Sequence, residues 1–181
     1  MNAAQSGEVE VVYLLGADEI DTAKLEKTFV IYQGSHGEAG AHVADVILPG
    51  AAYTEKDALW VNTEGRVQQG FKAVHAPGDA REDWAIIRAL SDKCGKTLPY
   101  DTIGQLRDKM VEVAPSFASI DEVTVAEWGE FGSAAPAGDA PFVNPIKDNY
   151  LTNIISRASG IMAECSAAFV ANGEEGTGTN G

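Results

Sequence analysis

Three short, mostly apolar runs near the start of the chain predict the strands of a parallel sheet. The runs cover residues 11–15, 28–32 and 45–48. Continuous apolar runs of this length are typical of strands buried on both faces. The intervening segments, 18–27 and 36–44, can supply helical connections, so the spacing indicates βαβ units with right-handed crossovers. The pattern predicts an α/β fold with a partial parallel, Rossmann-like sheet.

The small number of predicted strands limits what this sheet can bury by itself. A sheet covered on both faces needs more helical cover than the first 50 residues supply. We therefore expect that the domain is a fragment of a larger one, or that its sheet finishes against another chain.

The pattern changes after residue 50, where segment 57–69 alternates between apolar and polar residues. Leu59 and Val61 are expected on one face of a strand. Residues 63–65 predict a tight reversal with Gly65 in the left-handed conformation, which would cost another residue about 1–2 kcal/mol. The second strand is expected to begin at Arg66, so the segment predicts a β-hairpin.

Apolar residues then recur at helical spacing in two segments, 80–94 and 102–113. The first helix is predicted to have Asp79 as its N-cap, with Glu82 three positions later completing an acidic capping box. The second is predicted to start at Asp101. We expect both helices to cover a hydrophobic core.

Composition divides the chain into four segments. Residues 1–114 hold the α/β segment, its hairpin and the two helices. Residues 115–149 include a stretch rich in Gly, Ala and Pro and predict a loop or linker. Residues 150–170 carry apolar residues at helical spacing and predict a C-terminal helical tail with a stripe that must be buried on something. Residues 171–181 are polar and glycine-rich, which predicts disorder.

Charge and hydropathy exclude two classes of partner. The net charge of −14, from 27 acidic and 13 basic residues, would repel a nucleic-acid backbone. No apolar run reaches the roughly 20 residues that cross a bilayer, so direct membrane insertion is not expected. The first seven residues lack the basic and apolar regions of a secretory signal, so we expect a reducing compartment.

Few residues offer catalytic or metal-binding chemistry. His36, His42 and His75 do not share a metal-binding spacing, and no serine lies in a Gly-x-Ser-x-Gly motif. Cys94 and Cys165 lie far apart in sequence and are interpreted as two buried thiols. We predict no catalytic, cofactor-binding or metal-binding residue in this segment.

A run of glycines spaced three apart, from Gly34 to Gly40, follows a predicted strand. Open α/β sheets usually bind ligands at this place, so an independent nucleotide-binding module is one alternative. The spacing is not the dinucleotide fingerprint, however, and Glu38 falls within it, while Asp18 and Glu19 follow the first strand. A carboxylate about 5 Å from a phosphate costs roughly 3 kcal/mol at an effective dielectric constant near 20. We therefore expect negative charge at the mouth of the sheet to exclude a phosphate.

Several motifs between about residues 9 and 169 resemble those of a known family. They are FVIYQG at 29–34, ADVILPGAAYTE at 44–55, VNTEGRVQ at 61–68, DW at 83–84, ISRAS at 155–159 and MAEC at 162–165. Together they resemble the C-terminal part of the large iron–sulphur (75 kDa) subunit of respiratory complex I, the NADH:quinone oxidoreductase. The motifs at 44–55 and 61–68 alone would indicate the wider molybdopterin oxidoreductase superfamily. The motifs at 155–159 and 162–165 narrow the resemblance to the complex I subunit.

This resemblance implies a fold of the molybdopterin oxidoreductase type without bound molybdenum. It implies membership of a proton-translocating NADH:ubiquinone reductase, whose peripheral arm carries electrons from NADH through iron–sulphur clusters to quinone. That arm lies on the matrix side of the mitochondrial inner membrane or the cytoplasmic side of the bacterial one. The family's cluster ligands lie in the N-terminal half of the full subunit, so the resemblance assigns none to Cys94 or Cys165 and no activity to this segment alone.

The implied partners are the other peripheral-arm subunits and the cluster-bearing half of the same subunit. In this interpretation the hairpin 57–69 is scaffold, and its polar residues form a structural network. The residues of that network are Asn62, Glu64, Gly65, Arg66 and Gln68. The leading hypothesis is thus a non-catalytic structural segment, and the alternative is a fragment of an active molybdopterin-dependent oxidoreductase such as a formate dehydrogenase-like enzyme.

Overall fold

A computed structural model provides the structure of the chain. It describes residues 2–37, 39–123, 125, 127, 129–130, 132–136, 138–141 and 145–170. The predictions made for Glu38 and for residues 171–181 lie outside the described residues.

A small sheet of three strands forms where the apolar runs predict it. Its strands are β1 (Val11–Leu15), β2 (Phe29–Gly34) and β3 (Val46–Pro49), in the order β1-β2-β3. Strands β2 and β3 are parallel, with Ile31 opposite Val46. The mixed α/β class with a small parallel sheet is confirmed.

The connections between these strands are shorter than predicted. Helix α1 (Asn2–Ser6) precedes β1, a 3-10 turn at Thr22–Leu25 stands in the segment predicted as a helix over 18–27, and helix α2 (Ala39–Val43) precedes β3. A second 3-10 turn, Tyr53–Glu55, leads into the hairpin.

Burial is concentrated on the middle strand of the sheet. Val30 and Tyr32 of β2 are almost completely buried, whereas Val11 and Leu15 of β1 and Ile47 of β3 are exposed. The prediction that these strands are covered on both faces is therefore wrong for the outer two. An outer strand has only one neighbouring strand to shield it.

The predicted hairpin is present with a wider loop than expected. Strands β4 (Ala58–Val61) and β5 (Val67–Gly70) are antiparallel, with Val61 opposite Val67. The loop therefore spans five residues and contains Arg66, which corrects the prediction of a tight reversal with Arg66 in the second strand. Gly65 has φ +83°, as its predicted left-handed conformation requires.

Helix α3 (Asp83–Lys93) begins later than predicted, and its N-cap is Glu82. The prediction of Asp79 as N-cap of a capping box is wrong. The reason is a backbone contact, because the Arg81 N–H donates to the Pro49 carbonyl at 3.0 Å and Arg81 forms a parallel bridge to Gly50, the residue after β3. This pairing holds the residue before Glu82 in an extended conformation, so the helix cannot start earlier.

Helix α4 (Ile103–Val113) begins after Thr102, whose hydroxyl accepts a hydrogen bond from the Gln105 N–H at 3.2 Å. Asp101 is therefore not its N-cap, and its carboxylate pairs with Arg88 at 2.8 Å instead. Neither α3 nor α4 contains a fully buried residue, although both carry half-buried ones, so the expectation that they cover a core stays a prediction. A 3-10 turn at Pro115–Ala118 follows α4.

The cysteines depart from their interpretation as buried thiols. Cys94, at the C-terminal end of α3, is exposed, and Cys165 is half-buried. The end of a helix projects beyond its packed face, which leaves Cys94 in solvent.

The predicted C-terminal tail is divided into three short pieces. They are α5 (Ile154–Arg157), α6 (Gly160–Cys165) and a π-helical turn at Ser166–Val170. The Ser159 hydroxyl caps α6 by accepting from the Met162 N–H, so a new helix starts there. The apolar stripe stays partly uncovered, with Ile161 68 % exposed.

The chain folds into two compact units. The first unit holds the described residues of 1–30, 36–45 and 129–181, and the second holds those of 31–35 and 46–128. The predicted division at residues 114 and 149 stays a prediction. None of the described helices is long and apolar enough to cross a membrane.

Candidate functional site

A buried carboxylate lies in the first unit, in the loop after β1. The side chain of Asp18 is 0 % exposed, and its Oδ2 accepts a hydrogen bond from the Gly40 N–H at 2.9 Å. Its Oδ1 forms an ion pair with Nη2 of Arg157, which lies at the end of α5. Arg157 Nη1 also pairs with Glu19 Oε1 at 3.2 Å. We call these four residues the Asp18 centre.

The local sequence explains how α5 presents Arg157. Asn153 precedes the helix in an extended conformation, and its side chain accepts hydrogen bonds from the N–H groups of Ile155 and Ser156 at 3.0 Å. The Ser156 hydroxyl lies 3.1 Å from the Asn153 N–H, which completes a reciprocal cap. A four-residue helix is thereby fixed at its start, and Arg157 occupies its last position.

The Asp18 centre changes the electrostatic picture that the sequence suggested. Arg157 compensates one of the two negative charges of Asp18 and Glu19, so these three residues together keep a net charge of −1. A phosphate is disfavoured beside them for a second reason as well. The Gly40 N–H, which could donate to an anion, already donates to the Asp18 carboxylate.

The Asp18 centre changes the pKa of the Glu19 carboxyl group. Partial burial opposes its ionisation, but backbone hydrogen bonds and the contacts with Arg157 outweigh that effect and lower the pKa of its carboxyl group. A group with a lowered folded-state pKa contributes stability that is present above its unfolded value, near about 4.3, and is lost as the pH falls through the folded-state pKa.

We therefore expect Glu19→Gln to reduce the acid sensitivity of the chain. In urea unfolding at pH values from about 6 down to about 2.5, the wild type should lose stability below about pH 4.3, and the variant should lose less over the same window. Glu26→Gln, which changes an exposed carboxylate of the same unit, is the control and should match the wild-type curve. Identical curves for Glu19→Gln and the wild type would contradict the prediction.

A second polar centre lies in the second unit and joins β2 to the start of α3. Gln33 is 0 % exposed, and its Nε2 donates to Oδ1 of Asp83 at 2.8 Å. The other carboxylate oxygen of Asp83 forms an ion pair with Lys56 Nζ. Asp83 is also the first residue of α3, where the positive end of the helix dipole stabilises a carboxylate. We call these three residues the Asp83 centre.

Gly50 makes room for the Asp83 centre. A Cβ atom at this position would lie 3.0 Å from Asp83 Oδ1 and 3.5 Å from the Gly34 carbonyl carbon. The Gly50 N–H donates to the Gly34 carbonyl at 2.9 Å, so the backbone there is fixed. The carboxylate can approach the sheet because the residue opposite it has no side chain.

The polar residues predicted for the hairpin come together in part. The Asn62 Oδ1 accepts from the N–H groups of Glu64, at 3.1 Å, and Arg66, at 3.0 Å. Arg66 pairs with Glu64 at 3.5 Å around Gly65. Gln68 lies apart from this cluster, on β5 opposite Trp60, with an exposed side chain. The structural role of the hairpin stays a prediction.

A contact that no sequence pattern indicated ties this loop to residues far along the chain. Arg66 Nη1 donates to the Asp121 carbonyl at 2.8 Å, and the Asp121 N–H donates to the Val67 carbonyl at 2.7 Å. Asp121 has φ +64°, so an unusual backbone conformation accompanies this contact. One side-chain and one backbone hydrogen bond therefore tie the end of the hairpin loop to Asp121.

Asn62→Ala is expected to destabilise the chain by about 1 kcal/mol, because two backbone N–H groups lose their acceptor in an exposed loop. Thermal or urea unfolding of the purified chain measures the effect. Thr63→Ala, one position along the same loop, should change stability by less than about 0.5 kcal/mol. A loss of stability in Thr63→Ala as large as that in Asn62→Ala would contradict a specific role for the Asn62 amide.

The two centres have the geometry of ion pairs that stabilise a fold, not of a group that transfers protons. In both of them the carboxylate is matched by a cation and by a hydrogen-bond donor, so neither presents a free base. Within the described residues, no group of three or more His, Cys, Asp or Glu side chains is placed to hold a metal ion. Sequence patterns pointed to Asp18 and Glu19 but not to Arg157 as their partner, and they did not indicate the pairing of Gln33 and Lys56 with Asp83.

Two protein-family models match the chain. The model described as molybdopterin oxidoreductase matches residues 1–93, and a model for the C-terminal region of an NADH-ubiquinone oxidoreductase subunit matches residues 113–165.

Curated relatives are similar to the chain over most of its length. The mitochondrial 78 kDa subunit of NADH-ubiquinone oxidoreductase from Neurospora crassa is 48 % identical over 166 residues, covering 87 % of this chain and 22 % of the relative. The 75 kDa subunit from Reclinomonas americana is 44 % identical over 174 residues, covering 91 % and 24 %. The resemblance drawn from the motifs is confirmed, and the chain spans about a quarter or less of these relatives.

Among solved structures, the acetylene hydratase from Pelobacter acetylenicus is similar to the chain at 20 % identity. The TM-score is 0.43, and the match covers 52 % of this chain and 15 % of that one. At this score the likeness supports no conclusion.

Proposed function

The chain belongs to the molybdopterin oxidoreductase family, and from that membership we propose that it is a non-catalytic structural segment of the large peripheral-arm subunit of NADH-ubiquinone oxidoreductase. The second matching model and the curated relatives, which are subunits of that oxidoreductase, support this assignment over an independent molybdopterin enzyme. One observation supports the structural role. The charged groups of the Asp18 and Asp83 centres are paired with other residues of the chain, whereas many apolar side chains remain at the surface.

That contrast is pronounced among the described residues. Six hydrophobic residues are buried, while eighteen large hydrophobic residues are exposed. Exposed apolar residues lie on β1, β3 and α6. Extensive exposed apolar surface marks interaction sites in soluble domains. The apolar surface of the strands and of the tail is therefore proposed to dock against other polypeptide segments.

The proposed partners are the other peripheral-arm subunits and the cluster-bearing part of the same subunit. In this proposal, electrons pass from NADH to quinone through iron–sulphur clusters held outside this segment, and the segment supports the domain that carries them. It holds no cofactor of its own. The assembly lies on the matrix side of the mitochondrial inner membrane or the cytoplasmic side of the bacterial inner membrane.

The residues of the Asp18 centre do not fit a molybdopterin. An anionic cofactor needs free donors there, but the Gly40 N–H is bonded to Asp18, and Arg157 is committed to Asp18 and Glu19. Binding would have to break a buried ion pair, which costs about 3–5 kcal/mol. This argues against the alternative of an active molybdopterin oxidoreductase and equally against a nucleotide-binding module.

Co-expression tests the proposed function. The tagged chain, produced together with the remaining subunits of NADH-ubiquinone oxidoreductase, is expected to co-elute with them in size-exclusion chromatography. The same tag on an unrelated domain serves as the control. Elution of the chain alone, with the other subunits assembled without it, would overturn the proposal. Molybdenum or tungsten at one atom per assembly, measured by elemental analysis, would favour the alternative.

A further inference from the structure

A pocket of about 270 Å³ lies in the second unit, between β4 and the helices α3 and α4. Its lining includes Trp60 of β4, Trp84 of α3, and Leu106 and Met110 of α4. Trp60 is 46 % exposed, so one aromatic wall is open to solvent. The pocket thus combines an apolar interior with access from outside.

One lining residue, Arg107, has an unsatisfied donor. Its Nη2 atom is buried and has no hydrogen-bond partner among the described residues. A buried charged donor without an acceptor is costly, so it requires an explanation. Neighbouring carboxylates of the pocket are engaged elsewhere. Glu82 accepts from the Trp84 indole N–H at 2.8 Å, and Asp83 is held by Gln33 and Lys56.

The charges of the lining indicate which kind of acceptor is missing. Two cations, Lys56 and Arg107, are outnumbered by three carboxylates, Asp57, Glu82 and Asp83. An incoming anion would meet a net negative lining, so a neutral acceptor such as a carbonyl oxygen is favoured. The apolar walls favour a neutral occupant because a charge placed against them would lose its hydration.

Size and composition indicate that the occupant belongs to a protein. The volume lies near the lower limit of the roughly 300–1,000 Å³ of pockets that hold small molecules, and it accommodates a side chain. Tryptophan, methionine and arginine are the residue types enriched at the centres of protein interfaces, where a side chain of one partner fills a pocket of the other.

We propose that this pocket receives an apolar side chain of another polypeptide segment of NADH-ubiquinone oxidoreductase, whose adjacent main-chain carbonyl accepts a hydrogen bond from Arg107 Nη2. The inference rests on the proposed function and assigns it one docking point. It accounts for a donor that has no acceptor among the described residues, because the acceptor arrives with the partner.

Photo-crosslinking in the assembled enzyme tests the occupant. Met110→p-benzoylphenylalanine places the photoreactive group in the pocket, and the same change at Val113, which is 77 % exposed on the same helix and outside the lining, is the matched control. Mass spectrometry of the pocket variant is expected to identify a crosslink to an apolar residue outside this chain. The control should not crosslink to that residue.

The other outcomes separate the two proposals. Co-elution with the subunits, but with crosslinks only to this chain, to a second copy of it identified by isotope labelling, or to a small molecule, would overturn the docking point and leave the proposed function standing. Absence of co-elution in the unsubstituted chain would overturn the proposed function and the docking point with it.

Arg107→Met tests the hydrogen bond itself. The crosslink from position 110 is expected to fall about tenfold, since a hydrogen bond to a charged group contributes on the order of 1.4 kcal/mol or more. The isolated chain should be as stable as the wild type or more stable, because an unsatisfied buried charge is removed. Lys109→Met, on the same helix but outside the lining of the pocket, should leave the crosslink unchanged. An undiminished crosslink together with a destabilised chain would overturn the assignment of Arg107.

Discussion

Replacement of Arg157 by methionine is expected to destabilise the chain by about 3–5 kcal/mol, because it leaves the Asp18 carboxylate buried without its cation. The Asp18 side chain is 0 % exposed, so it has no contact with solvent that could replace the lost ion pair. Methionine keeps the length and the apolar stem of the arginine, so packing changes are small. The free energy of unfolding in urea is the quantity to measure.

Two further variants distinguish a buried charge from a general packing effect. In the double variant Asp18→Asn with Arg157→Met the carboxylate is replaced by a neutral amide, whose oxygen can still accept from the Gly40 N–H. This variant should recover much of the lost stability, and it keeps the test decisive if the single variant does not fold. Lys24→Met, which removes an exposed ion pair with Asp21, should cost less than about 1 kcal/mol. A single variant at Arg157 within about 1 kcal/mol of the wild type would contradict the importance of the pair.

Asp83→Ala is expected to cost about 2–4 kcal/mol, because it removes the acceptor of a buried amide and the counter-ion of Lys56 in one step. The Gln33 amide is completely buried, and the Lys56 side chain is largely buried. Alanine also leaves the space that the carboxylate filled opposite Gly50. Urea unfolding, followed by tryptophan fluorescence, reports on the unit that contains this centre, because Trp84 is the residue next to Asp83.

A double-mutant cycle separates the contribution of the Gln33 hydrogen bond from that of the Lys56 ion pair. Asp83→Asn keeps an oxygen for the Gln33 amide and removes the charge, so we expect a smaller loss than with alanine. Adding Lys56→Met to Asp83→Asn removes the unpaired cation, and the coupling energy between the two positions should exceed about 1 kcal/mol. Strictly additive effects of the two substitutions would show that Lys56 and Asp83 do not stabilise one another in solution.

Local sequence patterns were sufficient for the parts of the fold that depend on neighbouring residues. The apolar runs predicted the three strands of the small sheet, and alternation predicted the hairpin. Gly65, expected to reverse the chain, has a positive φ angle. The motifs identified the family because they consist of contiguous residues. Each of these features is set by interactions within a few positions, which the sequence displays directly.

Helix starts and the burial of strands depended on contacts that sequence periodicity does not encode. The backbone of Arg81 pairs with the end of β3, and this non-local bridge displaced the start of α3 from the capping residues that the sequence offered. Likewise, an apolar run predicts a strand but not whether both of its faces are covered. Cover depends on which other segments reach that face, and for β1 and β3 it is incomplete among the described residues.

The sequence by itself determined the composition, the strand and turn positions, the family and the presence of acidic residues after β1. The tertiary structure alone decided that these residues pair with an arginine 139 positions away from Asp18, and that Gln33 and Asp83, 50 positions apart, share a hydrogen bond. The physical reason is that charge and hydrogen-bond pairing depend on distances of a few ångströms in space, which the folded chain sets and the order of residues does not.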